Sequence, residues 1–150
     1  MKLALDIGTT SGWATAFDSG QRSSGSIKLK AHQFANWASR MTKMRGLLDG
    51  LHTLEPIEEV WFEEVRRHNG VAAAHVYGAL MGTVAEWCDL RDIPYSGVSV
   101  GTIKKFATGS GNASKERMIS AVKEKWRANV KDDNEADAIA LLECQMENEK

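Results

Sequence analysis

The pattern of apolar and polar positions predicts a chain that opens with strands and closes with helices. Short runs that are apolar or alternate in polarity, bounded by turn-forming residues, predict five strands. They lie at 3–5, 13–17, 24–29, 57–62 and 95–100. Longer runs with apolar residues three and four positions apart predict amphipathic helices. They lie at 32–54, 71–90, 115–127 behind an N-cap at Ser114, and 132–146, with a short helical turn at 101–106.

This order of elements is typical of a mixed α/β sheet. No internal repeat, low-complexity tract or linker divides the 150 residues, so we expect a single domain. A hydrophobic content of 43% and five tryptophans are consistent with an ordinary globular core.

Charge and cysteine usage exclude several classes of protein. Nineteen basic against 20 acidic residues give a net charge of −1, so any nucleic-acid surface must be local. Cys88 and Cys144 are far apart and there is no C-x-x-C spacing, which indicates neither a zinc site nor a disulfide framework. With no signal-peptide-like segment and no run approaching 18 apolar residues, we expect a soluble, cytoplasmic protein without a membrane partner.

Two of the predicted strands end in acidic residues. Asp6 follows the first strand, and Glu63 and Glu64 follow the fourth. The segment 8–12, Gly-Thr-Thr-Ser-Gly, predicts a tight turn after Asp6 because glycine tolerates positive φ. If the two strands are neighbours in the sheet, Asp6 and Glu63 lie close together at one rim.

A third group of acids opens the final predicted helix. Residues three and four apart share a helix face, so Asp133 or Asn134 can point the same way as Asp137. Together with the two strand-end acids, these oxygen ligands predict a site for Mg²⁺ or Mn²⁺. Two such ions can hold an attacking water and a leaving oxygen on opposite sides of a phosphate.

The same acidic run also fits plain helix capping. Asp132-x-x-Glu135 has the spacing of a capping box, and acids in a first helical turn complement the helix dipole. From the run alone, capping and metal binding both remain open.

Basic side chains accumulate near these acids. Lysines and arginines on helices are usually only solvated, but beside a carboxylate–metal site they would contact DNA phosphates. Of the basic loop residues, His68 is expected to be a surface or DNA-contacting residue rather than a general base. The candidates for DNA binding are Arg66, Arg67, His68, Lys104, Lys105, Lys115 and Arg117.

Gly78 and Gly82 lie one helical turn apart in the predicted helix 71–90. Small residues at this spacing let another element approach a helix backbone closely. The spacing predicts packing within the domain, and contact with a second subunit is the alternative.

Taken together, these motifs resemble RuvC-type Holliday-junction resolvases, in particular the compact forms encoded by phages and prophages. The segments 3–8, 62–65 and 135–140 match the family's three acidic motifs in order. The glycines and lysines that also match are Gly12, Gly78, Gly82, Lys104 and Lys115, the last preceded by Ser114. The resemblance covers most of the chain, and the ordered set is far more specific than any single motif.

The resemblance implies an RNase H-like fold, with a mixed five-stranded sheet flanked by helices. It also implies a homodimer, in a bacterial or phage-infected cell, that cleaves four-way DNA junctions by paired nicks. On this resemblance Asp6, Glu63 and Asp137 ligate two Mg²⁺ or Mn²⁺ ions. Lys115, together with Lys104, would hold the scissile phosphate or stabilise its developing negative charge.

Two positions depart from the family pattern. The family usually has an acid three residues before its last one, where this chain has Asn134, so the fourth ligand is Asp133, Asn134 or Glu135. Many relatives carry an aromatic residue directed toward the junction where this chain has Arg66. Opening of the junction is therefore expected to differ.

Three other functions fit parts of the sequence. The segment 6–11 also resembles the phosphate-binding turn of sugar kinases and actin-like ATPases, but those enzymes enclose a nucleotide between two such domains and this chain supplies one. A junction-binding protein with a weakened metal site is consistent with Asn134. An RNA–DNA hybrid hydrolase would share the acids, and comparing cleavage of a hybrid with cleavage of a junction separates the two.

Overall fold

The strands and helices follow one another in the order that the polarity pattern predicts. We describe residues 1–29 and 37–149 from a computed structural model. The elements are β1 (Lys2–Asp6), β2 (Thr10–Ala16), β3 (Arg22–Lys28), α1 (Trp37–Leu54), β4 (Glu59–Glu64), α2 (Val71–Asp89), β5 (Tyr95–Ser99), α3 (Val100–Thr108), α4 (Lys115–Trp126) and α5 (Asp133–Asn148).

The five strands form one mixed sheet in the order β3-β2-β1-β4-β5. The first three strands are antiparallel neighbours joined by short turns, and β4 and β5 run parallel to β1. Parallel strands need a crossover, which α1 and α2 supply. At the centre, Leu3, Ala4 and Leu5 of β1 are fully buried because helices cover both faces of the sheet.

Each face of the sheet has its own core. The α1–α2 core contains Leu3 and Leu5, and the core on the opposite face, here the α5 core, contains Ala4 and Trp61. Successive strand residues point to opposite faces, which is why neighbouring positions in β1 enter different cores. Among the described helices, none combines the length and apolar character that crossing a bilayer requires.

The segment predicted as a tight turn at 8–12 is mostly strand. β2 already begins at Thr10, and Gly12 is paired with Asp6 in the sheet. The turn itself is confined to Gly8 and Thr9, and Ser11 Oγ closes it with hydrogen bonds to the backbone N–H and carbonyl of Gly8 at 3.1 and 3.0 Å. The turn is therefore closed by the Ser11 hydroxyl and does not extend to Gly12.

Two helix predictions also need correction. The segment 101–106, predicted as a short helical turn, is part of the longer α3, which Ser99 caps and which Gly109 ends with a φ of 83°.

The predicted packing of Gly78 and Gly82 within the domain is wrong. Both are exposed, and a Cβ built at either glycine meets no atom of the described residues within 4 Å. The predicted start of the helix at 32–54 lies in part outside the described residues, where α1 is seen from Trp37 onward.

Candidate metal centre

Two parallel strands bring the first two acids to one end of the sheet. β1 and β4 are paired in register as far as Leu5 and Phe62. Asp6 and Glu63 are the next residue on each strand, so the predicted neighbourhood of these two strands is found. The two carboxylates share the carboxyl end of adjacent parallel strands.

The alternation of the strands sends both acids to the same face. Ala4 and Trp61 belong to the α5 core, and side chains two positions apart in a strand share a face. Asp6 and Glu63 therefore lie on the face that α5 covers. Glu64 points the other way and makes a 3.3 Å ion pair with Arg66.

The third acidic group arrives on α5, which crosses β1 and β2. Asp133 is its first residue and Asp137 lies one turn later on the same face. Asp137 is half-buried between Ala136 and Ala138, both fully buried. The helix thus presents two carboxylates to the rim where the strand-end acids lie.

The electrostatics show that these acids affect one another. Burial raises the pKa of Asp6 well above its usual range, and the negative charges of Glu63, Asp137 and Asp133 raise it further. Burial and then the charge of Asp137 raise the pKa of Glu63 to about 7. The pKa of Asp137 rises to about 6, chiefly through burial and also through the charge of Asp133. Nearby negative charges therefore add to burial in raising the pKa values of Asp6, Glu63 and Asp137.

One oxygen of the cluster also has no hydrogen-bond partner among residues 1–29 and 37–149. Asp137 Oδ1 is buried and makes no hydrogen bond to this part of the chain, and a buried carboxylate oxygen left unpaired costs free energy. Among the described residues, no three His, Cys, Asp or Glu side chains already stand as a finished shell around one ion. The donor chemistry and the orphaned oxygen fit a hard divalent cation that would draw the carboxylates together.

Two lysines lie beside the acids. Lys115, at the start of α4, forms an ion pair with Asp133, and its charge opposes the rise in the pKa of Asp6. Lys104 on α3 donates a 2.9 Å hydrogen bond to the Ala113 carbonyl oxygen, and its charge opposes the rise in the pKa of Glu63. Of the basic candidates, these two are the ones that the electrostatics link to the acids.

The other basic candidates lie on the surface. Arg66, Arg67, Lys105 and Arg117 are exposed. His68 is half-buried, with its ring 4.9 Å from that of Tyr77. Arg66, Arg67 and His68 occupy the loop between β4 and α2, directly after the second acid.

Two acids of the α5 run have structural partners instead. Asp132 is the N-cap and accepts a 2.9 Å bond from the Glu135 N–H, so the capping interpretation is confirmed for Asp132. Glu135 is 4% exposed and binds Ser24 Oγ and the Lys131 N–H. Both carboxylate oxygens of Glu135 are therefore engaged outside the candidate metal centre. Asp133 and Asn134 stay as the alternatives for the fourth ligand.

Sequence reasoning missed several residues that support the acids. Tyr77 Oη donates a 3.0 Å hydrogen bond to the Glu63 carbonyl oxygen and so holds the end of β4 against α2. Ser24 and Ser26 of β3 bind the acids at the start of α5. The alternating serines of β3 were visible in the sequence, but nothing local identified their partners more than 100 positions away.

No protein-family model and no curated protein matches the sequence, but solved structures match its fold. Thermus thermophilus RuvC in complex with a Holliday junction substrate matches with a TM-score of 0.77 and 16% identity, over 97% of this chain and 92% of that chain. A second Thermus thermophilus RuvC structure gives 0.71 and 21%, over 96% and 93%. The yeast mitochondrial Holliday junction resolvase Ydc2 gives 0.63 and 13%, over 97% and 77%. The chain has the fold of these proteins, which confirms the predicted RNase H-like class.

Proposed function

We propose that the protein is a metal-dependent endonuclease that resolves four-way DNA junctions by paired phosphodiester hydrolysis. The observation that carries the proposal is the meeting of Asp6, Glu63 and Asp137 at one rim. There the charges of Glu63 and Asp137 raise the pKa of Asp6, and the charge of Asp137 raises the pKa of Glu63. Asp137 Oδ1 is buried with no hydrogen-bond partner among the described residues. The fold supports the choice of substrate, because a neighbour with this fold is a RuvC in complex with a Holliday junction substrate.

Asp6, Glu63 and Asp137, with Asp133 or Asn134, would hold the ions, which we propose are two Mg²⁺ or Mn²⁺. When bound, such ions supply the charge that attracts the scissile phosphate and lowers the pKa of the attacking water. In the hydrolysis, the water oxygen forms a bond to phosphorus, the bond from phosphorus to the 3′-oxygen breaks, and that oxygen leaves with a proton. The acids position this chemistry at the carboxyl ends of β1 and β4.

Lys115 and Lys104 are proposed to serve the phosphate. The Lys115 side chain is 75% exposed, so its ammonium can leave Asp133 for a DNA phosphate. Lys104 is held in place by the Ala113 carbonyl oxygen beside Glu63 and Asp137. A fixed positive charge near the reacting phosphate stabilises the negative charge that develops on it.

The basic surface residues and the half-buried His68 are proposed to contact the junction arms. The loop that follows β4, directly after its acids, contains Arg66, Arg67 and His68. The helices α3 and α4, which carry Lys104 and Lys115, also carry the exposed Lys105 and Arg117. These local charges would provide phosphate contacts that the net charge of −1 does not.

The proposal includes a homodimer. Paired nicks in a two-fold symmetric junction require two sites related by the same symmetry. The exposed face of α2 carries Gly78 and Gly82, and a groove along it is lined by Ala74, His75, Gly78 and Ala79. With no side chain of the described domain covering these glycines, this face is the proposed contact with the second copy.

A synthetic four-way junction with labelled arms tests the proposal. The wild-type protein should place symmetric nicks in Mg²⁺ or Mn²⁺ and none in EDTA. Asp6→Asn, Glu63→Gln and Asp137→Asn should abolish cleavage while junction binding persists. The matched control is Glu64→Gln, because Glu64 is adjacent to Glu63 but lies on the opposite face of β4.

Three outcomes would contradict the proposal. Wild-type binding without cleavage in either metal would indicate a junction-binding protein with a weakened site. Faster cleavage of an RNA–DNA hybrid than of the junction would indicate a hybrid hydrolase. ATP hydrolysis without DNA cleavage would indicate the kinase-like alternative.

A further inference from the structure

The edge strand β3 holds the start of α5 through two serines. Ser24 Oγ donates a 2.7 Å hydrogen bond to Glu135 Oε1, and Ser26 Oγ donates a 2.6 Å bond to Asp132 Oδ2. Since the two serines are two positions apart, both hydroxyls lie on the same face of the strand. Both of these bonds end on a carboxylate, which makes them stronger than bonds between neutral groups.

The same two acids also close the helix end. Asp132 Oδ1 accepts the Glu135 N–H at 2.9 Å, and Glu135 Oε2 accepts the Lys131 N–H at 2.8 Å. Each carboxylate therefore uses one oxygen for the backbone at the start of α5 and the other for β3. We call the four side chains of Ser24, Ser26, Asp132 and Glu135 the serine clamp.

The neighbouring strand restricts the same turn from another side. Gly12 of β2 lies against the Asn134 backbone so closely that an added Cβ would be 1.9 Å from the Asn134 carbonyl oxygen. Asp133 lies between the two clamp acids in the sequence, and Asp137 lies two residues after the second. These are the two carboxylates that α5 contributes to the candidate metal centre. Displacing the first turn would move both of them relative to Asp6.

We propose that Ser24 and Ser26 are positioning residues that set the divalent-ion affinity of the acid cluster by fixing the first turn of α5. This inference rests on the metal site of the proposed function. The clamp does not hold the whole helix, because Ala136, Ile139 and Leu142 anchor α5 in its core. Removing the serine hydroxyls should therefore shift the first turn while the domain stays folded.

The test measures Mn²⁺ binding to the full chain without DNA, by electron paramagnetic resonance of the free ion. Ser24→Ala combined with Ser26→Ala should weaken Mn²⁺ binding several-fold. This is less than the roughly tenfold loss that is typical when a group bonded directly to a metal ligand is removed, because the serines hold the ligands only through the first turn of α5. The corresponding Ser→Thr double variant keeps both hydroxyls, suits a strand, and should bind Mn²⁺ with near wild-type affinity. Ser23→Ala is the matched control, because Ser23 lies on the same strand but on its other face.

Junction cleavage gives a second measurement. For the double alanine variant, the Mg²⁺ concentration for half-maximal rate should rise, while the rate at saturating Mg²⁺ recovers most of its wild-type value. A purely structural role predicts a lower melting temperature with unchanged Mn²⁺ affinity, and that result overturns the inference. If the double variant does not fold, Ser26→Ala alone, which leaves the Ser24 bond in place, is read in the same way.

Failure of the inference is distinguishable from failure of the proposed function. A wild-type protein that binds Mn²⁺ but does not cut junctions refutes the function and leaves the clamp testable by Mn²⁺ binding. A wild-type protein that cuts junctions while the double alanine variant binds Mn²⁺ equally well refutes the clamp alone.

Discussion

Gly12 of β2 and Asn134 of α5 are in backbone contact: a Cβ on Gly12 would lie 1.9 Å from the Asn134 carbonyl oxygen and 2.9 Å from the Glu135 nitrogen. No L-residue with a side chain can occupy this position unless the start of α5 moves away from the sheet. The absence of a side chain at position 12 is therefore what lets the helix bring Asp133 and Asp137 to the strand-end acids.

Gly12→Ala should consequently destabilise the protein and reduce divalent-ion binding together. Overpacking of this kind typically costs about 1–3 kcal/mol, measurable by urea denaturation. The control is Gly46→Ala in α1, where an added Cβ meets no described atom within 4 Å. There, alanine's better helix propensity should raise stability by up to about 1 kcal/mol. A Gly12→Ala protein with unchanged stability and Mn²⁺ affinity would contradict the close contact.

The acids could be predicted from sequence because their cause is local. Asp6 and Glu63 each directly follow an apolar strand, and parallel neighbours bring strand ends together. The composition of the segment Gly-Thr-Thr-Ser-Gly predicts a turn that includes Gly12, whereas the pairing of Gly12 with Asp6 places it in β2. The contact that requires a glycine there comes from a helix more than 100 residues later, which no local pattern contains.

The sequence also does not predict which acids at the start of α5 cap the helix and which belong to the candidate metal centre. Capping and metal binding both fit the run, and the sequence could not assign individual residues to either. The serines of β3 assign Asp132 and Glu135 to structural roles, because they bind these two acids and not Asp133. Such assignments depend on tertiary contacts of an edge strand whose own sequence shows only polar alternation.

The metal-free protein should lose stability as the pH rises. The folded-state pKa of Glu63 is about 7, above the ordinary 4.5, so between these values the folded state binds more protons than the unfolded state. The stability that Glu63 contributes through this proton is therefore fully present below about pH 4.5. It is lost as the pH rises from there through about 7. For Glu63 alone, a pKa shift from 4.5 to about 7 corresponds to roughly 3 kcal/mol of folding stability.

Urea denaturation in EDTA at pH 5 and pH 8 measures this effect. Glu63→Gln should be more stable than the wild type at pH 8 and differ little from it at pH 5, because glutamine does not titrate. Adding Mg²⁺ at pH 8 should stabilise the wild type more than Glu63→Gln. Equal stability of the two proteins at pH 8 in EDTA would contradict the raised pKa of Glu63.

Lys115→Ala should reduce the cleavage rate more than it reduces stability. The Lys115 side chain is 75% exposed, and exposed ion pairs contribute at most about 1 kcal/mol to stability. Losing a positive charge at the reacting phosphate should lower the single-turnover rate about 10²-fold at saturating Mg²⁺. Lys123→Ala, an exposed lysine later on the same helix, should cut at the wild-type rate. Normal turnover by Lys115→Ala would remove the proposed role of Lys115.

Gly78→Glu tests whether the exposed face of α2 joins two copies of the chain. Within one copy, a Cβ at position 78 meets no described atom within 4 Å, and glutamate favours a helix more than glycine does, so the monomer should stay folded. In a two-fold symmetric contact through this face, each copy would bury a glutamate charge in the interface, which is unfavourable. Sedimentation equilibrium should then show monomers at concentrations where the wild type is a dimer. Paired nicking should be lost while Mn²⁺ binding persists. Gly46→Glu in α1, also in open space, should remain dimeric, and a dimeric Gly78→Glu protein would place the subunit contact elsewhere.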